Sequence, residues 1–228
     1  MIRVGALVGL PFEAAILERR FAGAALRLSV DCAGADAAGA ARAAAALAGG
    51  RPDILVSFGL AGGLDPGLRP GELLLPEAVT AEGGATYPTD AVTRTRFAAR
   101  LAEPCRRPRA ILGVTAAVAS PAEKARLFTA TGAAAIDMES LALAEAAAAA
   151  ELPFIVVRAV ADPAKRAIPE TALVALDPAG RVHAGRLLAG LARRPGDLAG
   201  LLWLARDSAR ARRSLGRAAR ALARALVR

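Results

Sequence analysis

Short apolar runs of strand character alternate with alanine-rich helical stretches along this chain, and that alternation limits its fold more tightly than composition does. Residues 2–8 (IRVGALV), 54–58 (ILVSF), 71–80 (GELLLPEAVT), 110–118 (AILGVTAAV) and 154–160 (FIVVRAV) read as strands. Residues 36–48, 93–103, 121–131 and 138–150 read as helices, with Pro121 suited to a first helical turn and Pro153 following the end of the last. The β-α-β-α order predicts an α/β fold in which helices are layered on a mostly parallel sheet. At 228 residues the chain can bury one sizeable core. The break at Pro195-Gly196 divides it into an expected catalytic body, 1–194, and a helical extension, 195–228.

Composition excludes several classes. Hydrophobic residues make up 55% and charged residues 22%, which is globular rather than disordered. Cys32 and Cys105 are too few for a disulfide framework or a zinc site, so a reducing cytoplasm is expected and no metal. The start, MIRVGALVGLP, lacks the features of a signal peptide, and no uncharged apolar run reaches about 18 residues. The net charge of +9 is unevenly placed: residues 203–228 hold eight arginines and one acid, Asp207. That leaves a nearly neutral body and a basic tail.

In open α/β folds the chemistry gathers at the carboxyl ends of strands. Four strand ends stand out here. The first carries Glu13, in GLPFEA, read either as a functional acid or as a solvated first-turn residue. The second is Gly59-Leu60-Ala61-Gly62-Gly63, read as a glycine turn whose backbone a ligand could approach, or as a plain tight connection. The third is AIDMES (135–140), where Asp137 reads as a helix cap and Met138 as core filler or contact surface. The fourth carries Arg158 and Asp162, in VVRAVADPA, with Asp162 before a proline also suiting a turn.

Taken together and in order, VSFGLAGGL, AIDMES and VVRAVADPA resemble the nucleoside phosphorylase and nucleosidase superfamily, over roughly residues 1–190. FGLAGGLDPGLRPGELLLP and VRAVADPAKRAIP look most like its hopanoid-associated phosphorylases. The resemblance implies a three-layer α/β/α fold with a mixed, mostly parallel central sheet. It also implies cleavage of a purine N-glycosidic bond, with adenine released from adenosylhopane and inorganic phosphate or water as co-substrate, without a cofactor. In that family pattern Asp162 supplies or holds the proton for purine N7, and Glu13 activates the attacking water. Glu139 binds the ribose hydroxyls, Met138 packs on the sugar, and Leu60, Ala61 and Gly62 line the base and sugar. Arg158 is expected to help bind an anion, and a homo-oligomer is implied.

The sequence also departs from the pattern. Leu60 stands where many relatives have Ser, and Ala161 replaces the Ser before the catalytic Asp, so Asp162 needs another orienting partner. The expected G-x-G turn is only approximated by Gly34-Ala35-Asp36, and no G-D-P-x-R phosphate loop is present. The last point leans toward water as nucleophile. Tyr87 and Val118 are candidates for the pocket wall.

The tail has its own pattern. Arg206, Arg210, Arg213, Arg217, Arg220, Arg224 and Arg228 fall within about 40° of one helical line, with Leu204, Leu215, Leu222 and Leu226 opposite. Such a helix lies on an anionic membrane with Trp203 as anchor, or docks its leucine face on the body. A nucleic-acid role is disfavoured because aromatics for stacking are almost absent. The leading expectation is a cytoplasmic enzyme, peripheral on the inner face of the membrane, acting on a lipid-linked adenine nucleoside. A soluble methylthioadenosine/S-adenosylhomocysteine nucleosidase is the enzyme alternative, and a catalytically silent, membrane-associated nucleoside-binding protein the alternative of another class.

Overall fold

The computed structural model describes every residue except Ala35, Glu103, Pro178 and Arg228. In chain order its elements are β1 (Ile2–Val8), α1 (Pro11–Phe21), β2 (Leu26–Cys32), α2 (Ala37–Gly49), β3 (Ile54–Gly63), β4 (Leu73–Leu74), β5 (Ala78–Ala81) and β6 (Thr86–Pro88). Then follow α3 (Ala91–Ala98), β7 (Cys105–Arg106), β8 (Ala110–Gly113), α4 (Pro121–Thr131), β9 (Ala135–Asp137) and α5 (Ser140–Ala149). The chain ends with β10 (Phe154–Asp162), α6 (Glu170–Ala175), α7 (Ala184–Arg193) and the long α8 (Asp197–Leu226).

One mixed, mostly parallel sheet of ten strands forms the middle layer, in the order β6-β5-β8-β9-β3-β10-β4-β7, with β1 and β2 branching from β3. The first half of β3 pairs with β1, its last residues pair antiparallel with β9, and β10 runs parallel along its whole length. This junction brings the ends of β1, β3, β9 and β10 together. Alternation along the strands sends Val4, Val56 and Val157 to one core and Leu7, Leu55 and Val156 to the other. The first core packs under α1 and α8, the second under α2 and α5, giving the expected three layers.

Residues 59–63 are not a turn. They continue β3 as extended strand, with Arg158 beside Gly59 and Asp162 beside Gly62 on β10. Glycine is needed there for space: a Cβ on Gly59 would lie 2.7 Å from both Arg158 Nη1 and Glu13 Oε1. The stretch 71–80 is likewise two short strands, β4 and β5, separated at Pro76, which lacks an N–H for a ladder. Residues 110–118 are strand only to Gly113, where a Cβ would meet Leu141 of α5 at 2.3 Å.

For most of the C-terminal helix the docked alternative is the one observed. Leu215, Leu222 and Leu226 are buried in the first core beside α1 and β10, each contributing about 1.5–3 kcal/mol by burial. Those leucines are therefore not a membrane face. Arg206, Arg213, Arg217, Arg220 and Arg224 do lie on the exposed side, while Arg228 falls outside the described residues. Among the described residues no helix is long and apolar enough to cross a membrane.

Candidate active site

The ends of β1, β3, β9 and β10 open into a recess of about 480 Å³, whose polar end is lined by Glu13, Asp137, Met138, Glu139, Arg158 and Asp162. Leu60, Ala61, Gly62 and Val118 also line it. Tyr87 does not; it packs against the second core from β6.

Glu13 does stand in a first helical turn, that of α1, but it is 1% exposed rather than solvated. Its Oε2 accepts hydrogen bonds from the N–H groups of Gly9 and Leu10, both at 2.9 Å, and Oε1 from Leu60 N–H at 2.8 Å. Burial pushes its carboxyl above the ordinary range, opposed first by Arg158 and then by the backbone donors.

Arg158 organises the carboxylates. Its Nε pairs with Asp137 Oδ2 at 2.8 Å and its Nη1 with Glu139 Oε2 at 3.0 Å, all effectively out of water. Nη1 also donates to Leu60 O at 3.1 Å, and Nη2 donates to Ser57 Oγ at 2.6 Å. Arg158 itself lines the recess, with its guanidinium engaged there by Asp137, Glu139, Leu60 and Ser57. Burial opposes the arginine's charge, but the carboxylates of Asp137, Glu139 and Glu13 outweigh it.

Asp137 does serve the start of α5: its Oδ1 accepts from Glu139 N–H at 3.1 Å and Ser140 N–H at 2.7 Å. Its other oxygen holds Arg158 and accepts from Ser140 Oγ. Glu139 is 8% exposed, and its carboxyl is pushed up to about 7 by burial, against Arg158, with Asp137 and Glu13 adding repulsion.

Asp162, at the last residue of β10, finds the partner that the missing serine left open. Lys124 of α4, wholly buried, places Nζ 2.5 Å from Asp162 Oδ2 and donates also to the carbonyls of Pro163 (3.3 Å) and Arg166 (3.2 Å). Three donors thus meet three acceptors. Burial raises the Asp162 carboxyl above its ordinary range, and Lys124 pulls against that shift. Sequence reasoning missed Lys124; one signal was available, since only two lysines occur in this arginine-rich chain.

The far wall of the recess is apolar, built from Ile168, Leu173, Leu176, Leu187, Leu201 and Leu204 of the α6–α8 region. The α6–α7 loop closes against the Glu13 loop at Gly180, where a φ of +74° favours glycine and a Cβ would lie 3.1 Å from the Gly9 carbonyl oxygen. Asp197 at the start of α8 accepts from Thr171 N–H and Oγ1, tying α8 to α6. Among the described residues no group of three or more His, Cys, Asp or Glu is arranged to hold a metal ion.

A buried acid held by a cation, a second acid in a backbone cradle and a carboxylate beside a methionine share one recess at the strand ends. This fold and constellation define a nucleoside phosphorylase or N-glycosyl hydrolase. Residues 28–194 match the model of the Phosphorylase superfamily, and the chain belongs to that family.

Solved structures of similar fold include the S-adenosylhomocysteine nucleosidase of Streptococcus pyogenes in complex with 5-methylthiotubericidin. It is 21% identical, with 72% of this chain and 85% of that chain covered at a TM-score of 0.65. The 5'-methylthioadenosine/S-adenosylhomocysteine nucleosidase of S. pneumoniae, with the transition-state inhibitor MT-ImmA, is 20% identical over 83% of this chain and 98% of its own, TM-score 0.67. Futalosine hydrolase of Helicobacter pylori is 15% identical over 72% and 86%, TM-score 0.66. At these identities the likeness is one of fold. No curated protein matches the sequence at a significant level.

Proposed function

We propose that this protein hydrolyses the N-glycosidic bond of a lipid-linked adenine nucleoside, releasing adenine from adenosylhopane. The observation that carries the reading is the division of the recess: acids and the arginine cluster at one end, a leucine-rich wall at the other. A nucleoside whose 5′ side continues into a hydrocarbon fits that division, with the base at Asp162 and the ribose at Glu139.

The chemistry follows from the placement. As the C1′–N9 bond stretches, the sugar becomes oxocarbenium-like and negative charge builds on the purine. Asp162 in its protonated form gives its proton to N7, so adenine leaves neutral; the resulting carboxylate is met by the Lys124 ammonium. Glu139 in its ionised form accepts hydrogen bonds from the two ribose hydroxyls, and Met138 packs on the apolar sugar face. Water adds to C1′, its proton passing to Glu13, whose Oε1 has one backbone donor and therefore remaining acceptor capacity.

Water is favoured over phosphate because the donors that would hold an anion are already engaged. The amides of Gly9, Leu10 and Leu60 bind Glu13, and Arg158 binds Asp137 and Glu139. The test is adenine release from adenosylhopane in detergent micelles, compared with methylthioadenosine. A kcat/KM at least tenfold higher for the lipid supports the reading. Release from methylthioadenosine alone assigns the soluble nucleosidase reaction instead, and release from neither points to a silent binding protein.

A further inference from the structure

We propose that the exposed apolar face of α6, α7 and the first half of α8 docks on an anionic lipid bilayer, setting the mouth of the recess against it. The face differs from the one that the arginine periodicity of residues 203–228 suggests. It lies at the other end of α8 and includes two helices that precede it.

Three observations place it there. First, α7 buries none of its residues, yet Leu187, Leu188 and Leu191 share one side of it while Arg186 and Arg193 share the opposite side. Leu188 is 67% exposed and Leu202, on α8, is 64% exposed, with Val174 and Leu198 also open to solvent. Isolated exposed leucines need no explanation, but several on three consecutive helices form a patch that does.

Second, the patch is continuous with the recess. Leu173 and Val182 are exposed and also line it, and Leu187 and Leu201, which line it from inside, each precede an exposed leucine on the same helix. An apolar chain can therefore pass from the surface to the wall facing the acids without crossing polar ground.

Third, charge selects the partner. Residues 165–206 carry seven basic side chains against Glu170, Asp177 and Asp197, a net of +4. Of these, Arg181 stands beside Val182 and Arg206 one turn after Leu202, both exposed, so a second copy meeting this face by two-fold symmetry would bring like charges together, whereas an anionic surface complements them. Trp203, half-exposed, lies beneath the guanidinium groups of Arg206 and of Arg166, which also pairs with Asp207, at 5.7 and 4.8 Å, so an indole and cations meet at the rim of the face, as they do in an interfacial anchor. Only the delivery of substrate from the bilayer rests on the lipid-substrate reading; the docking itself does not.

The test is co-sedimentation of the full chain with phosphatidylglycerol/phosphatidylcholine vesicles and with phosphatidylcholine vesicles alone. Sedimentation velocity runs alongside. Binding should require the anionic lipid and weaken with salt. The exposed pair Leu188→Glu/Leu202→Glu, and separately Arg181→Gln/Arg206→Gln, which stand beside Val182 and one turn after Leu202, should each reduce it about tenfold or more while leaving adenine release from a soluble nucleoside unchanged. Absence of binding to anionic vesicles overturns the proposal, as does binding that both variant pairs retain. Self-association that the leucine variant abolishes, without vesicle binding, assigns the face to a second copy. Vesicle binding without adenine release from adenosylhopane refutes the substrate reading and leaves the docking face standing.

Discussion

Replacing Arg158 with methionine removes the guanidinium that pairs with Asp137 and Glu139 and faces Glu13, while keeping most of the side chain's bulk. Breaking a buried ion pair by deleting one partner costs about 3–5 kcal/mol, because the other charge stays buried without compensation. In a chain of this size each kcal/mol moves the midpoint by about 2–4 °C, so Tm should fall by about 6–20 °C. The loss must depend on pH. Glu13 and Glu139 already have folded-state pKa values above the ordinary 4.5, Glu139 at about 7, so folding binds protons and stability falls as pH rises from about 4.5 through the folded values. Without Arg158 both carboxyls move further up, which deepens that fall and extends it to higher pH. Thermal unfolding at pH 5.5 and 8.5 should therefore show a smaller loss at the acid pH, where the broken contacts with Asp137, Leu60 and Ser57 still count, and the full loss at the alkaline one. Equal losses would mean that the guanidinium holds the site through Asp137, packing and hydrogen bonds, and not through Glu13 and Glu139.

Asp162→Asn should lower turnover by about 10²–10⁴ with little change in nucleoside affinity, and unchanged turnover would refute its role as acid. Lys124→Met removes the charge that lowers the Asp162 pKa, so the alkaline limb of the kcat profile should move to higher pH; a limb that stays put would separate Lys124 from catalysis. In Gly9→Ala the new Cβ would sit 2.5 Å from Glu139 Oε1, so KM should rise more than kcat falls, and steady-state kinetics decide it. Because Glu139 titrates near 7 and must be ionised to bind the ribose, KM should rise as pH drops from 8 to 6, whereas a flat profile would contradict its assignment.

Much of this fold was legible where local signals agree. The helix at 121–131 and the strand at 2–8 appear with the expected bounds, each set by a proline, a cap or a run of apolar residues. Gly59–Gly63 was misread because glycine usually marks a turn, whereas here it marks a strand whose missing side chains make room for Glu13, Arg158 and Asp162. The family resemblance implied Glu13, Met138, Glu139, Arg158 and Asp162, and the topology of β1, β3, β9 and β10 does bring them to one recess. What it could not convey is who partners whom. Lys124 lies 38 residues before Asp162 on a helix that looks like surface, and only the chain's return through β9 and β10 joins them. The leucine stripe of α8 was legible as apolar, but periodicity cannot distinguish a core from a membrane as its partner.

The most direct test of the central claim is the fate of the anomeric carbon. Purified protein would be given adenosylhopane in micelles, in ¹⁸O-labelled water with and without inorganic phosphate, and the lipid product analysed by mass spectrometry. Hydrolysis assisted by Glu13 and Asp162 should give adenine and a ribosyl lipid carrying one ¹⁸O at C1′, at a rate that phosphate does not change. A ribosyl-1-phosphate lipid, formed only when phosphate is present, would contradict it.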